Sequence, residues 1–109
     1  MPLLDTRYGL DLKAREDAMR QANYLRETPY AGLIAEGRLS LGDGHEFRIE
    51  RLHVKDRGSV EIRFSWWKNG ALMMRPLDAT EDELLNLFNE GIRAGVFTPK
   101  FRQRLKQLL

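Results

Sequence analysis

The sequence predicts an α+β fold: an antiparallel meander of three or four strands, with one or two N-terminal helices and two C-terminal helices packed on one face. Three observations predict it. First, residues 46–77 divide into three strand-like runs, Glu46–Val54, Ser59–Trp67 and Ala71–Leu77, separated by turn chemistry. Second, Asp11 to Arg26 is built of good helix formers with no Gly or Pro. Third, Thr80 and Thr98 each begin a helix signature near the C-terminus. No helix is predicted between the strands, so a ferredoxin-like order is not expected.

The middle strand carries the clearest period. Val60, Ile62, Phe64 and Trp66 alternate with Glu61, Arg63, Ser65 and Trp67. Strand side chains point to opposite faces with period two. One face is therefore apolar and the other polar until Trp67, as in a sheet covered on one side. Asn69-Gly70 supplies the positive φ angles of a tight hairpin. Leu72 and Met74 continue an apolar face, and Pro76 marks the end of regular pairing. Met73, Met74 and Leu77 are expected in the core. The turn before the middle strand spans Lys55 to Ser59 and contains Gly58.

In the first strand, Phe47 and Ile49 share one parity, and Leu52 and Val54 the other. Arg51 stands where alternation calls for an apolar residue. Two readings fit: a β-bulge near Glu50-Arg51, or a strand buried on both faces at its end.

The flanking elements follow in order. The helix Asp11–Arg26 carries a thin stripe of Ala14, Ala18, Met19, Ala22 and Leu25. So thin a stripe suits the edge of a core or another subunit. Thr28-Pro29 resembles a helix cap with proline at the first position. A short helix would bury Tyr30, Leu33 and Ile34 and end at Gly37; extended chain from Ala31 onward is the competing reading. Leu39 and Leu41 suggest a short extra strand, and Gly42-Asp43-Gly44 a turn. Thr80 and Glu83 form a capping box. The helix after them would bury Leu84, Leu85, Leu87, Phe88 and Ile92 and end at Gly95. Thr98-Pro99 starts a last helix with Phe101, Leu105, Leu108 and Leu109 inward.

With 109 residues the chain is read as a single domain, 1–109. It has no cysteine, which excludes disulfides and thiolate metal sites. No signal-peptide pattern and no long apolar run is seen, so a soluble, cytoplasmic protein with no membrane contact is expected. The formal net charge is +2. Its distribution is uneven: residues 77–99 hold one basic and five acidic groups, whereas residues 100–109 hold four basic and none acidic.

No catalytic constellation emerges, so neither an enzyme nor a cofactor is expected. His45 lies in the turn before the first strand and His53 within that strand. With a regular strand they fall eight apart on the same side, too far along it to share one metal directly, and no metal site is assigned. Gly42-Asp43-Gly44 lacks the length and the Lys-Ser/Thr of a phosphate loop.

Two surfaces are candidates instead. If Trp66 is core, Trp67 faces the polar side beside Arg63. It is either covered by a helix or a neighbouring subunit, or it is a contact residue, with Arg63 and Arg75 as further partner-binding residues. The last helix presents Lys100, Arg102, Arg104 and Lys106, either a solvated face or a phosphate-contacting patch that the sheet arginines Arg48, Arg63 and Arg75 could extend. The functional expectation is a non-enzymatic interaction or regulatory module binding a protein or itself, with homodimerisation an option. Nucleic-acid binding through the basic helix and sheet arginines is the alternative. A small enzyme using His45 or His53 with a carboxylate ranks third.

Overall fold

The computed structural model describes residues 24–109. Its element order is β1 (Arg26–Glu27), β2 (Ala31–Gly42), β3 (His45–Val54), β4 (Ser59–Lys68), β5 (Ala71–Leu72), α1 (Glu81–Arg93) and α2 (Pro99–Leu108). The five strands form one antiparallel sheet in the order β1-β2-β3-β4-β5. The α+β class and the meander stand as expected. The strand count is five rather than three or four.

Three element assignments change. The predicted helix Asp11–Arg26 lies outside the described residues except for its end, where Arg26 belongs to β1. Of the two readings after Thr28, the short helix fails and the extended chain from Ala31 holds, as the long strand β2. Thr28 does cap, but it caps a turn: its Oγ1 accepts from the N–H groups of Tyr30 and Ala31. The run Ala71–Leu77 shortens to a two-residue β5. Leu77 packs against the core, whereas Met74 is almost fully exposed.

The turn chemistry is as read. Asn69 and Gly70, at φ 50° and 80°, form the two-residue loop between β4 and β5. Asp43 and Gly44, at φ 53° and 77°, do the same between β2 and β3. Both loops have the two consecutive positive φ angles whose twist matches a hairpin.

Neither β3 nor β4 contains the bulge expected near Glu50-Arg51; their register runs unbroken from His45↔Lys68 to Val54↔Ser59. The irregularity lies across from it, in β2. Leu33 pairs with Leu52 and Ala35 with Arg51, so Ile34 is the extra residue. An extra residue moves everything beyond it to the other face. Leu33 therefore joins Leu52 on the polar side, while Ala35, Gly37 and Leu39 line the helix side. β3 is central and covered on both faces, as the second reading had it. Arg51 is tolerated on the helix side because its Nη1 donates to the Val96 carbonyl at 3.1 Å. A long side chain can lay its stem on apolar surface while its head reaches a polar partner.

α1 starts with the predicted capping box. Thr80 Oγ1 accepts from the Glu83 N–H at 3.1 Å, and Glu83 Oε1 accepts from the Thr80 N–H at 2.9 Å. Gly95, at φ 74°, follows the helix in the left-handed conformation. The chain then turns Val96 and Phe97 into the core beside Phe47, Ile49 and Leu87.

Gly37 and Gly91 set the position of α1. A Cβ on Gly37 would lie 2.8 Å from the backbone of Glu90 and Gly91. A Cβ on Gly91 would lie 3.0 Å from Ile49 Cγ2. Two bare backbones let the helix sit close on β2 and β3. Gly37 thus permits close approach and does not end a helix.

Candidate functional site

The helix side of β4 is only partly covered, because α1 packs on β2 and β3. Ile62 is 37% exposed and Phe64 42% exposed. Both were expected in a covered core. Phe64 reaches the helix at one point, its ring 5.9 Å from that of Phe88. Phe88 shares a shallow hollow with Leu84 and Leu85, and Leu85 is 69% exposed. Of the predicted α1 stripe only Leu87 is buried, with Phe88 half-buried. The aromatic row continues from Phe88 to Phe97 at 5.5 Å and from Phe97 to Phe101 at 5.0 Å. An apolar surface thus runs from the β4 edge across the side of α1.

The outer edge of β4 adjoins that surface. β5 pairs only with Trp67 and Lys68. The Trp66 carbonyl points outward, accepting from the Met73 N–H at 2.9 Å. Alternate residues of a strand aim their backbone groups the same way. Val60, Ile62 and Phe64 therefore present N–H and C=O groups outward, and no described strand pairs with them.

The opposite face is polar, and its buried charges are paired, although Arg48 Nη1 has no hydrogen-bond partner among the described residues. The cross-strand rows are Arg38–Arg48–Ser65 and Glu36–Glu50–Arg63. Arg26 contacts Glu36 at 2.6 Å, and Arg48 bridges Glu46 and Glu36. Glu50, 1% exposed, accepts two bonds from Arg63 at 3.0 Å and one from Ser65 Oγ at 2.8 Å. Burial of these charges is tolerable because each is paired and hydrogen-bonded.

Trp66 and Trp67 divide between the faces as read. Trp66 packs against the core on the helix side. Trp67 is half-buried on the polar side, where its indole N–H donates to Ser65 Oγ at 2.8 Å. The Arg48 guanidinium lies 3.7 Å from the Trp67 ring centroid, and Arg63 pairs with Glu50 rather than with this ring. Arg75 is elsewhere. It lines a cleft of about 450 Å³ with His45, Phe47, Trp66 and Pro76. Trp67 and Arg63 thus share a face, and Arg75 does not join them.

His45 accepts from the Trp66 indole N–H at 3.0 Å, its ring stacked at 5.6 Å. His53 is buried, with Nδ1 against the Tyr24 hydroxyl. Among the described residues no group of three or more His, Asp or Glu side chains could hold a metal ion. No described helix is long and apolar enough to cross a membrane.

α2 carries Lys100, Arg102, Arg104 and Lys106, all exposed and in no ion pair with a described residue. Lys100 and Arg104 flank a groove of about 530 Å³ floored by Phe101, Leu105 and Leu108. Phe101, Leu108 and Leu109, expected inward, are exposed, and α2 buries no residue. Phe101 stacked on Phe97 is its hold on the core.

Sequence reasoning assigned Ile62, Phe64 and Leu85 to the interior, since a period marks an apolar face but not its cover. Comparison of the chain with protein-family models, with curated proteins and with solved structures finds no match.

Proposed function

We propose that this protein is a non-enzymatic interaction module that associates with itself through the helix side of β4 and the adjoining flank of α1. One observation carries the reading: Ile62, Phe64, Leu84 and Leu85 are all exposed, and the half-buried Phe88 links them, its ring 5.9 Å from that of Phe64 and its side chain lining a hollow with Leu84 and Leu85. Continuous apolar patches on otherwise polar proteins mark interaction sites. The charges of the two helices favour a second copy as occupant. α1 begins with Glu81, Asp82 and Glu83, and α2 carries only basic charges. A two-fold interface uses the same patch on both copies and can set the acidic helix of each near the basic helix of the other.

Sedimentation velocity of the full chain over a hundredfold concentration range tests this. The expected result is a concentration-dependent mass above the 12.7 kDa of one chain. Phe64→Ser combined with Leu84→Ser should return it to one chain. A single 12.7 kDa species at every concentration would overturn the reading.

Nucleic-acid binding through α2 is the second reading. The four basic side chains of α2, in no ion pair with a described residue, beside the exposed Phe101 ring favour it, since stacking and phosphate contacts together hold single strands. Fluorescence anisotropy of labelled mixed-sequence DNA and RNA at low and physiological salt tests it. Binding should weaken steeply with salt, and Arg102→Ala with Arg104→Ala should flatten that slope. No binding at low salt discards it.

A further inference from the structure

We infer that two copies join edge to edge through β4, centred on Ile62, so that their sheets become one. The inference rests on the self-association proposed above and names its geometry.

The first ground is the free edge. Val60, Ile62 and Phe64 direct their backbone donors and acceptors away from β3, and no described strand takes them. Proteins commonly protect such edges, because an unpaired edge is a template for another strand.

The second ground is the sequence of that edge. Residues 59–65 read Ser-Val-Glu-Ile-Arg-Phe-Ser. Folded antiparallel on a copy of itself about Ile62, the segment matches at every position. Ile62 meets Ile62 of the partner subunit. Val60 meets the partner's Phe64, Glu61 meets the partner's Arg63, and Ser59 meets the partner's Ser65. Apolar faces apolar on the helix side, and opposite charges face each other on the polar side. A one-residue shift would set the two Ile62 side chains on opposite faces and place Glu61 across from the partner's Ile62.

The third ground is hydrogen-bond phase. Ile62 and its two flanking apolar residues are the ones whose backbone groups point outward. In this register each meets a residue that also points outward, and facing residues of that kind exchange both backbone bonds. Glu61 and Arg63 fall at the intervening positions, where side chains approach closest. Both are accessible: their side chains are 38% and 44% exposed. Arg63 uses Nε and Nη2 on Glu50, which leaves Nη1 for the partner's Glu61.

An unrelated extended peptide could use the same backbone groups. The charge match of Glu61 with Arg63 within one segment favours a second copy.

The test uses the full chain, which has no cysteine of its own. Ile62→Cys places one thiol at the symmetry axis, where a facing strand pair lies within disulfide reach. Mild oxidation should convert it to a covalent dimer at least tenfold faster than Ser40→Cys, an exposed control on β2 away from the proposed contact surface. Ile62→Pro removes an outward N–H that no described strand takes, so it should abolish the dimer by sedimentation with far-UV circular dichroism unchanged. If Ile62→Pro disturbs folding, the cross-linking rate decides alone. A dimeric wild type whose Ile62→Cys variant cross-links no faster than the control overturns the β4 pairing and leaves self-association standing. A wild type of one-chain mass throughout overturns both.

Discussion

On the polar face of the sheet, charged side chains are buried; on the helix face of β4, apolar side chains are exposed. The inversion has one physical source. Charges can be buried where each finds a partner, and the alternating Glu and Arg of β2, β3 and β4 supply partners within the sheet itself. Apolar groups need something laid over them. The only helix packed on the sheet among the described residues is held over β2 and β3 by the Gly37–Gly91 contact. Among the described residues, the buried charges of the first face find partners within the sheet, and the apolar side chains of the second are left partly exposed.

Breaking the polar face should therefore cost stability, whereas changing the apolar face should cost association. Arg63→Ala is the largest expected effect. It strands the Glu50 carboxylate, 1% exposed, without its cation. Urea unfolding at fixed protein concentration should show a loss of about 4 kcal/mol. A loss below about 1 kcal/mol would mean that Glu50 is hydrated rather than held.

Trp67→Ala comes next. It removes the ring under Arg48 and the donor to Ser65, and should lower stability by about 2 to 3 kcal/mol. Its effect on mass by sedimentation should be small, because Trp67 faces away from the apolar patch. A fall to one-chain mass with stability intact would instead place the contact surface on the Trp67 face.

Gly37→Ala tests why the apolar surface is uncovered. Its methyl group would meet the Glu90 backbone at 2.8 Å, so helix and sheet must separate slightly. A loss of about 1 to 2 kcal/mol is expected in thermal or urea unfolding. An unchanged stability would show that α1 is free to shift, and that its place over β2 and β3 is not set here.

Leu85→Gln should do least to the fold, within about 0.5 kcal/mol, because the side chain is already mostly in water. Sharpening the comparison, the same substitution should still weaken self-association measurably by sedimentation. Destabilisation by more than about 1 kcal/mol would move Leu85 from the contact surface to the core.

Much of this was legible in the chain. The two Xaa-Gly hairpin turns, the Thr80–Glu83 capping box, the Thr98-Pro99 start and the division of Trp66 from Trp67 depend on neighbours a few residues apart. Local rules suffice for them. The stretch from Ala31 leaves two readings open because Thr28-Pro29 has the chemistry of a helix start, and pairing with β3 decides for the extended chain. The bulge was put in β3 because Arg51 broke the alternation. The irregularity lies in β2, and Arg51 finds its partner 45 residues away at Val96.

The sequence by itself determined the strand periods, the turns, the caps and the antiparallel order, since each follows from backbone preferences over a few residues. It also determined the self-complementary run from Ser59 to Ser65. Only the tertiary structure decided which apolar faces were covered. Cover depends on where a distant helix comes to rest, and here that rests on two glycines, Gly37 and Gly91, separated by 54 positions. Only the tertiary structure, likewise, placed that run on an edge that no other described strand takes, because β5 is too short to reach it.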